Sequence, residues 1–162
     1  MSQRALILGM GNSILTDDAA GLKLASMAHE VLHQELPDIE LKLSESGGMN
    51  LLDMIEGYDA VFVVDSMLTG KHAPGTAVEI EPGPREGTRR TLSSHDISLF
   101  DAINLGNKLG TKMPSIVRIF AMEIVNNTEF SQFLTQEVEA SLEKACKEIT
   151  SQISLSLATA VR

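Results

Sequence analysis

The fold of this chain is decided by residues 5–21, which read ALILGMGNSILTDDAAG. The stretch Ala5–Leu8 is a short apolar run that is typical of a buried strand, and Gly9–Gly11 is a glycine-containing turn at its carboxyl end. The apolar residues that follow recur at helical spacing, which predicts a helix over about 17–34. A strand, a turn and a helix in this order predict an α/β sheet, whose ligands bind at the carboxyl ends of the strands.

Two adjacent acids, Asp17 and Asp18, stand where this turn enters the helix. Thr16 or Asp17 would serve as the N-cap, and acids in a first turn suit the helix dipole. An anion-binding helix terminus normally excludes acids, so the pair indicates a cation site or a catalytic site. Successive helical residues point about 100° apart, so at most one of the two acids faces a common pocket.

The rest of the chain continues the alternation of strands and helices. The predicted elements are a strand at 39–43, a helix at 49–56, a strand at 60–64, an antiparallel edge strand at 76–81, a helix at 96–109, a strand at 116–122 and a helix from Thr135, with a weakly specified tail beyond about 153. We therefore predict one three-layer α/β domain over residues 1–162, with a mostly parallel five-stranded sheet and helices on both faces.

Composition limits the classes of function. The chain has 162 residues with a net charge of −9, which argues against non-specific binding to nucleic acid or to an anionic membrane surface. Its single cysteine, Cys146, excludes an intramolecular disulfide and a cysteine-based zinc cluster. The absence of a signal-peptide pattern and of a long apolar run predicts a soluble, cytoplasmic protein.

Three residues stand out as candidates for a shared site: Asp18, Asp65 and His95. Asp65 follows the apolar run 60–64, so its carboxylate lies over the core, where an unpaired charge is costly. If the first and third strands are neighbours, Asp18 and Asp65 face each other across the ligand crevice. Two bare carboxylates would repel, and a divalent cation removes that problem. One imidazole from His95 would complete a mixed set that suits Zn, Ni, Mn or Fe.

Simpler interpretations stay open for each of these residues. Asp18 can be a helix-capping acid, Asp65 an acceptor for loop N–H groups, and His95 an exposed or capping residue. In a strand order 3-2-1 a whole strand would separate the two acids. A nucleotide or flavin is not expected, because Ile14 stands where a dinucleotide motif needs its third glycine, and Gly70-Lys71 lacks the rest of a P-loop.

The chain resembles the nickel–iron hydrogenase maturation endopeptidases, which process the C-terminus of the hydrogenase large subunit. Four motifs in register carry this resemblance over roughly residues 4–150. They are Gly9-x-Gly11-Asn12-x-x-Leu15-x-Asp17-Asp18-x-x-Gly21, Asp65 at the end of the third strand, Pro74-Gly75-Thr76, and Ser93-Ser94-His95 before a helix.

The resemblance implies an endopeptidase that removes a short C-terminal extension from the precursor of the large subunit after nickel has been inserted there. It implies that Asp18, Asp65 and His95 contact the metal, and that this nickel arrives with the substrate. The implied partner is the large-subunit precursor. The sequence does not indicate an oligomeric state.

The chain departs from the family pattern at two places. After the second strand the family usually has Gly-Gly-Thr-x-Gly, whereas Ser44-Glu45-Ser46-Gly47-Gly48 stands here, so glycines are lost and an acid is gained. After the fifth strand Glu123 stands in a segment where the family tends to have Gly and a later Pro.

Our leading hypothesis from the sequence is a nickel-dependent processing endopeptidase, in which Asp18, Asp65 and His95 are both the catalytic and the metal-contacting residues. One alternative is a non-catalytic relative that checks nickel loading without cutting. A second is a small nucleotide- or flavin-binding α/β protein, which would need a phosphate cradle free of acids.

Overall fold

The structure is a computed structural model that describes residues 3–45, 50–81 and 96–160, without the side chains of 96–98. The strands are β1 Ala5–Met10, β2 Glu40–Ser44, β3 Ala60–Met67, β4 Ala77–Ile80 and β5 Ile116–Glu123. The helices are α1 Ala20–Leu32, α2 Asn50–Ile55, α3 Asp96–Leu109 and α4 Gln136–Ala160, and a 3-10 turn, Thr16–Ala19, precedes α1.

The five strands form one sheet in the order β2-β1-β3-β5-β4. All neighbours are parallel except β4, which pairs antiparallel with β5 at the edge. The predicted α/β class, the antiparallel edge strand and the adjacency of the first and third strands are confirmed. This adjacency brings the carboxyl ends of β1 and β3 together, with Gly9 opposite Val64.

Two apolar cores cover the two faces of the sheet. Alternate residues of β3 face opposite ways, as the pleat of a strand requires. Phe62 and Val64 pack with residues of α1 and α4, whereas Val61 and Val63 pack with residues of α2 and α3. All eight residues of β3 are buried, which explains the continuous apolar run at 60–64.

Helix α1 lies unusually close to the sheet because glycine occupies the contact. A Cβ on Gly21 would stand 2.3 Å from the carbonyl oxygen of Met10, 2.8 Å from the carbonyl oxygen of Val64 and 2.8 Å from the Cα of Asp65. No side chain fits at those separations. The first turn of α1 therefore rests directly on the ends of β1 and β3.

The predicted N-cap of the first helix is wrong. The chain enters α1 through a 3-10 turn, and neither Leu15 nor Ala19, the residues at the cap positions, makes a capping side-chain hydrogen bond. Thr16 has a φ of 49°, and the carboxylate of Asp17 turns away from its own helix toward the β5–α4 loop. The local capping rule failed because the carboxylate of Asp17 accepts tertiary hydrogen bonds from the β5–α4 loop instead.

Two element boundaries also differ from the prediction. Strand β3 continues two residues beyond Asp65 to Met67, because Ser66 and Met67 still pair with β5. The tail that we expected to be weakly specified is helical to Ala160, and Ile153 and Leu157 pack against the core. The amphipathic stripe of α4 thus runs further than the sequence suggested.

No helix in residues 3–45, 50–81 and 96–160 combines the length and the apolar character needed to cross a bilayer.

Replacing Gly21 with Ala tests the close approach of α1. The added methyl would overlap backbone atoms that cannot move independently, so we expect Gly21→Ala to lower the free energy of unfolding by about 3 kcal/mol or more. Gly110→Ala is the control, because no atom lies within 4 Å of its Cβ position and only its φ of +72° is strained, at about 1 kcal/mol. Urea denaturation measures both, and equal losses would contradict the close contact.

Candidate active site

The structure brings Asp18 and Asp65 together through one serine. The hydroxyl of Ser66 donates to Oδ1 of Asp18 at 2.8 Å, and its backbone N–H donates to Oδ1 of Asp65 at 2.8 Å. Asp18 is 8% exposed, while Asp65 and Ser66 are 0% and 1% exposed. Ser66 thus contacts both buried acids where β1 and β3 end, which is the switch point of the sheet.

The two acids reach this point from different sides of the sheet. Ser66 lies on the face that packs with α1 and α4, and Asp18 meets it from the turn before α1. By the alternation of the strand, Asp65 belongs to the opposite face, which packs with α2 and α3. The two acids therefore approach the end of β3 from opposite faces of the sheet.

Asp17 has a structural task that differs from that of Asp18. Its buried carboxylate accepts hydrogen bonds from the N–H groups of Val125 and Asn126 at 3.1 and 3.0 Å, and from the N–H and hydroxyl of Thr135. The N–H of Thr135 is 2.7 Å away, directly before α4 begins, where the positive end of the helix dipole stabilises an anion. Asp17 therefore does not cap the first helix, as the sequence predicted, but accepts hydrogen bonds at the start of α4.

Main-chain hydrogen bonds join the same two loops. The N–H of Thr16 donates to the carbonyl of Ser131 at 3.0 Å, and the N–H of Ser131 donates to the carbonyl of Ile14 at 3.0 Å. The N–H of Asp17 donates to the carbonyl of Asn126 at 3.0 Å. The turn is thus fixed to the β5–α4 loop at Ile14, Thr16 and Asp17, directly before Asp18.

Glu45, the acid at the first departure from the family pattern, holds the other end of that turn. Its Oε1 accepts the N–H of Ser13 at 2.7 Å, although the side chain is exposed. The hydrogen bonds from Ser13 lower the pKa of Glu45 from its ordinary value. Where the family usually has glycines, this chain has a carboxylate that ties β2 to the loop after β1.

Glu123, at the second departure, is also a structural acceptor. Its carboxylate is buried and takes the N–H groups of Thr69 and Gly70 at 2.6 and 2.8 Å, together with the hydroxyl of Thr69. Burial raises the pKa of Glu123, but the hydrogen bonds from Thr69 and Gly70 outweigh it, and the net pKa is lowered. Glu123 therefore shapes the loop that follows β3 and does not point a free carboxylate at the crevice.

His95, the third predicted site residue, lies outside the described residues. The described helix α3 begins at the next position, Asp96, and ends at Leu109. The N–H of Gly57, before β3, donates to the carbonyl of Lys112, which places the end of α3 at the amino edge of the sheet. Helix α3 therefore starts at the carboxyl edge, on the face to which Asp65 belongs.

Within the described ranges, no three His, Cys, Asp or Glu side chains gather closely enough to hold a metal ion. These ranges include Asp18 and Asp65 but not His95. The predicted three-residue metal site stays a prediction.

Cys146 is buried, and burial raises the pKa of its thiol, as expected for an unreactive core cysteine.

Sequence reasoning missed Ser66 and the anchoring roles of Asp17 and Glu45. A serine inside a buried apolar strand, directly after a candidate acid, was the available signal for Ser66, because buried hydroxyls need partners. No local pattern could have paired Asp17 with Thr135, since 118 positions separate them.

Comparison with known proteins places this chain in a class of endopeptidases. The family model described as hydrogenase maturation protease matches residues 27–152. The hydrogenase 2 maturation protease of Escherichia coli K12 is 31% identical over 151 residues, which cover 90% of this chain and 88% of that protein. This chain belongs to the hydrogenase maturation protease family, and its enzyme class is that of the hydrolases that cut peptide bonds.

Solved structures agree with the assignment. The hydrogenase-maturating endopeptidase HybD of E. coli superposes with a TM-score of 0.73 at 26% identity, covering 95% of this chain and 94% of that one. The [NiFe] hydrogenase maturation protease HybD of Thermococcus kodakarensis superposes with a TM-score of 0.63 at 24% identity, covering 93% and 99% of the two chains. At that identity the second likeness concerns the fold alone.

The different tasks of the adjacent acids predict losses of stability of different size for the same substitution. Asp17→Asn places an amide among donors that need an acceptor, so we expect it to lower the free energy of unfolding by about 2–4 kcal/mol. Asp18→Asn disturbs one hydrogen bond from Ser66 and should cost about 1 kcal/mol or less. Chemical denaturation measures both, and an equal loss in the two variants would refute the division of roles.

Proposed function

We propose that this protein is a nickel-dependent endopeptidase that removes the C-terminal extension from the precursor of a nickel–iron hydrogenase large subunit. The nickel belongs to the substrate, and Asp18, Asp65 and His95 are the residues that contact it. The observation that carries the proposal is that Ser66 donates hydrogen bonds to both Asp18 and Asp65, in a chain that belongs to the maturation protease family.

The donor chemistry of the pair supports a cation as the group that it holds. Asp18 and Asp65 contribute carboxylate oxygens below the surface, and no described salt bridge includes Asp18. Among the described residues, Oδ2 of Asp18 accepts no hydrogen bond, so it is available to a ligand. A cation carried to this edge would balance the buried charge of Asp18.

The direction of α3 supports His95 as the third contact. The helix starts at the carboxyl edge, on the face of the sheet to which Asp65 belongs. A histidine one position before this start would add a nitrogen donor to two oxygen donors, a set that suits nickel better than calcium or magnesium.

The unequal exposure of the two acids supports different roles in hydrolysis. Asp18 is 8% exposed and Asp65 is fully buried. A general base must reach the attacking water, and Asp18 is the more exposed residue of the two. We assign Asp18 as the candidate base and Asp65 as the fixed contact, with the metal polarising the scissile carbonyl or orienting the peptide.

A non-catalytic nickel-checking role is the alternative, and the hydrogen bond from Ser13 to Glu45 is the observation that favours it. A turn held by an extra carboxylate has less freedom to adapt around a scissile peptide than a glycine-rich one.

The location in the cytoplasm, like the nickel requirement, stays a prediction from the sequence.

Cleavage of a nickel-loaded precursor tests the proposal. Mass spectrometry should show release of the C-terminal extension by the native protein and no release from precursor without nickel. Asp18→Ala, Asp65→Ala and His95→Ala should each abolish release while the fold is retained, since each removes a metal contact. Asp53→Asn is the matched control, because Asp53 is an exposed acid on α2, and it should cleave at the native rate.

Two results decide between the alternatives. A stable complex with loaded precursor that never releases the tail would establish the non-catalytic role. Undiminished cleavage by Asp65→Ala would exclude the assigned site, whatever the native protein does.

The proposed imidazole contact predicts a dependence of nickel affinity on pH. A histidine must be neutral to bind metal, so affinity should fall as pH decreases below about 6.5, where the ordinary pKa of histidine lies. Calorimetric titration of nickel at pH 7.5 and pH 5.5 measures the change. The His95→Ala variant should bind weakly with little change between these two pH values, and a native affinity independent of pH would remove His95 from the ligand set.

A further inference from the structure

Five large apolar side chains are exposed on the loops at the carboxyl edge of the sheet. We call them the apolar rim: Ile14 at 47% exposure, Leu68 at 42%, Val125 at 43%, Phe130 at 82% and Phe133 at 80%. The chain has only five phenylalanines, and two of them lie here, almost wholly in solvent. Scattered apolar residues are normal on a surface, but a group on one edge marks an interaction site.

Hydrogen bonds place the members of the apolar rim beside the acid pair. Ser131, between the two phenylalanines, exchanges main-chain hydrogen bonds with Ile14 and Thr16, and Thr16 lies two positions before Asp18. The N–H of Ile124 donates to the carbonyl of Met67 at 2.8 Å. Leu68 and Val125 therefore directly follow these two paired residues, at the ends of β3 and β5. Leu68 comes three positions after Asp65.

The two phenylalanines are exposed on a loop that is firmly held. The base of the loop is fixed by four donors on the carboxylate of Asp17, and its middle by the hydroxyl of Thr16, which donates to the carbonyl of Glu129 at 2.6 Å. Within the loop, the N–H of Phe133 donates to the hydroxyl of Ser131 at 3.0 Å. A rigid loop that presents aromatic side chains has already lost the entropy that binding would otherwise remove, which is how interface anchors gain affinity.

We propose that the apolar rim is the docking surface for the polypeptide substrate, and that Phe130 and Phe133 insert between apolar side chains of the segment next to the scissile bond. The proposal rests on the proposed endopeptidase function, because it names where that substrate is held. Continuity with Asp18 and Asp65 is its main support, since an endopeptidase must hold its substrate on the surface that surrounds its reacting groups.

Charge selects this occupant over two others. The chain carries a net charge of −9, and the exposed acids Glu45 and Glu129 lie on the loops of this edge. A second copy of the chain would bring like charges together, and an anionic lipid surface would be repelled. A protein segment with apolar side chains and without a strong negative charge fits both the apolar rim and its acidic neighbours.

The double variant Phe130→Ser/Phe133→Ser tests the apolar rim with the full-length protein and a nickel-loaded precursor. Because both side chains are exposed, thermal unfolding should match that of the native protein. We expect KM for the precursor to rise about tenfold or more, with most of the loss in KM and little in kcat, as for interface anchors that bind without reacting.

Matched controls are the exposed leucines remote from this edge. Leu109, at 65% exposure, ends α3 at the amino edge, and Leu155, at 59%, lies on the late part of α4. Leu109→Ser/Leu155→Ser removes a similar exposed apolar area and should leave KM at its native value.

Direct binding keeps the test valid when no cleavage occurs. In an Asp65→Asn background, biolayer interferometry with loaded precursor should show about tenfold weaker binding on replacing the two phenylalanines, whether or not the native protein cuts. Binding and KM equal to native would overturn the proposal. Native dimers that dissociate in the double variant, or vesicle binding that it loses, would also overturn it by assigning the surface to a second copy or to lipid. Failure of the proposed function alone would appear as absent tail release with rim-dependent binding intact.

Discussion

The site depends on the contact between the first turn of α1 and the ends of β1 and β3. Gly21 permits this contact, because a side chain there would overlap the backbones of both strands. The turn before α1 is therefore held within reach of β3, and Asp18 meets Ser66 without a long side chain to bridge the gap. The strand order makes β1 and β3 neighbours. The missing Cβ of Gly21 lets the turn before α1 come close enough to β3 for Asp18 to accept a hydrogen bond from Ser66.

Carboxylates acting as acceptors for backbone N–H groups hold the surrounding loops. Asp17 holds the β5–α4 loop, Glu45 holds the turn after β1, and Glu123 holds the loop after β3. Each of these acids accepts from a segment distant in sequence, so the edge is braced across the sheet. Much of the acidity of the chain at this edge is consequently structural, and it leaves Asp18 and Asp65 as the acids at the crevice between β1 and β3.

The pattern of apolar residues predicted the strands and helices well. Burial on both faces of the sheet makes residues 60–64 of β3 a continuous apolar run, and burial on one face makes the helices amphipathic. The pattern also placed Asp18 and Asp65 at one crevice, because parallel strands end at the same edge. The sequence pattern did not predict the role of Asp17, whose partners lie more than 100 residues away. It also missed Ser66, whose role depends on its hydrogen bond to Asp18 in the folded chain. The role of His95 lies beyond what the described residues decide.

The anchoring of the β5–α4 loop separates its base from its tip. Asn126 and Thr135 are both bonded to the carboxylate of Asp17, so the span between them closes on a fixed point of the protein. Residues 127–133 can therefore vary in side chain while the base keeps its conformation, much as a hypervariable loop varies on a constant framework. A lineage could change the surface of this short loop segment while Asp18 and Asp65 stay as they are.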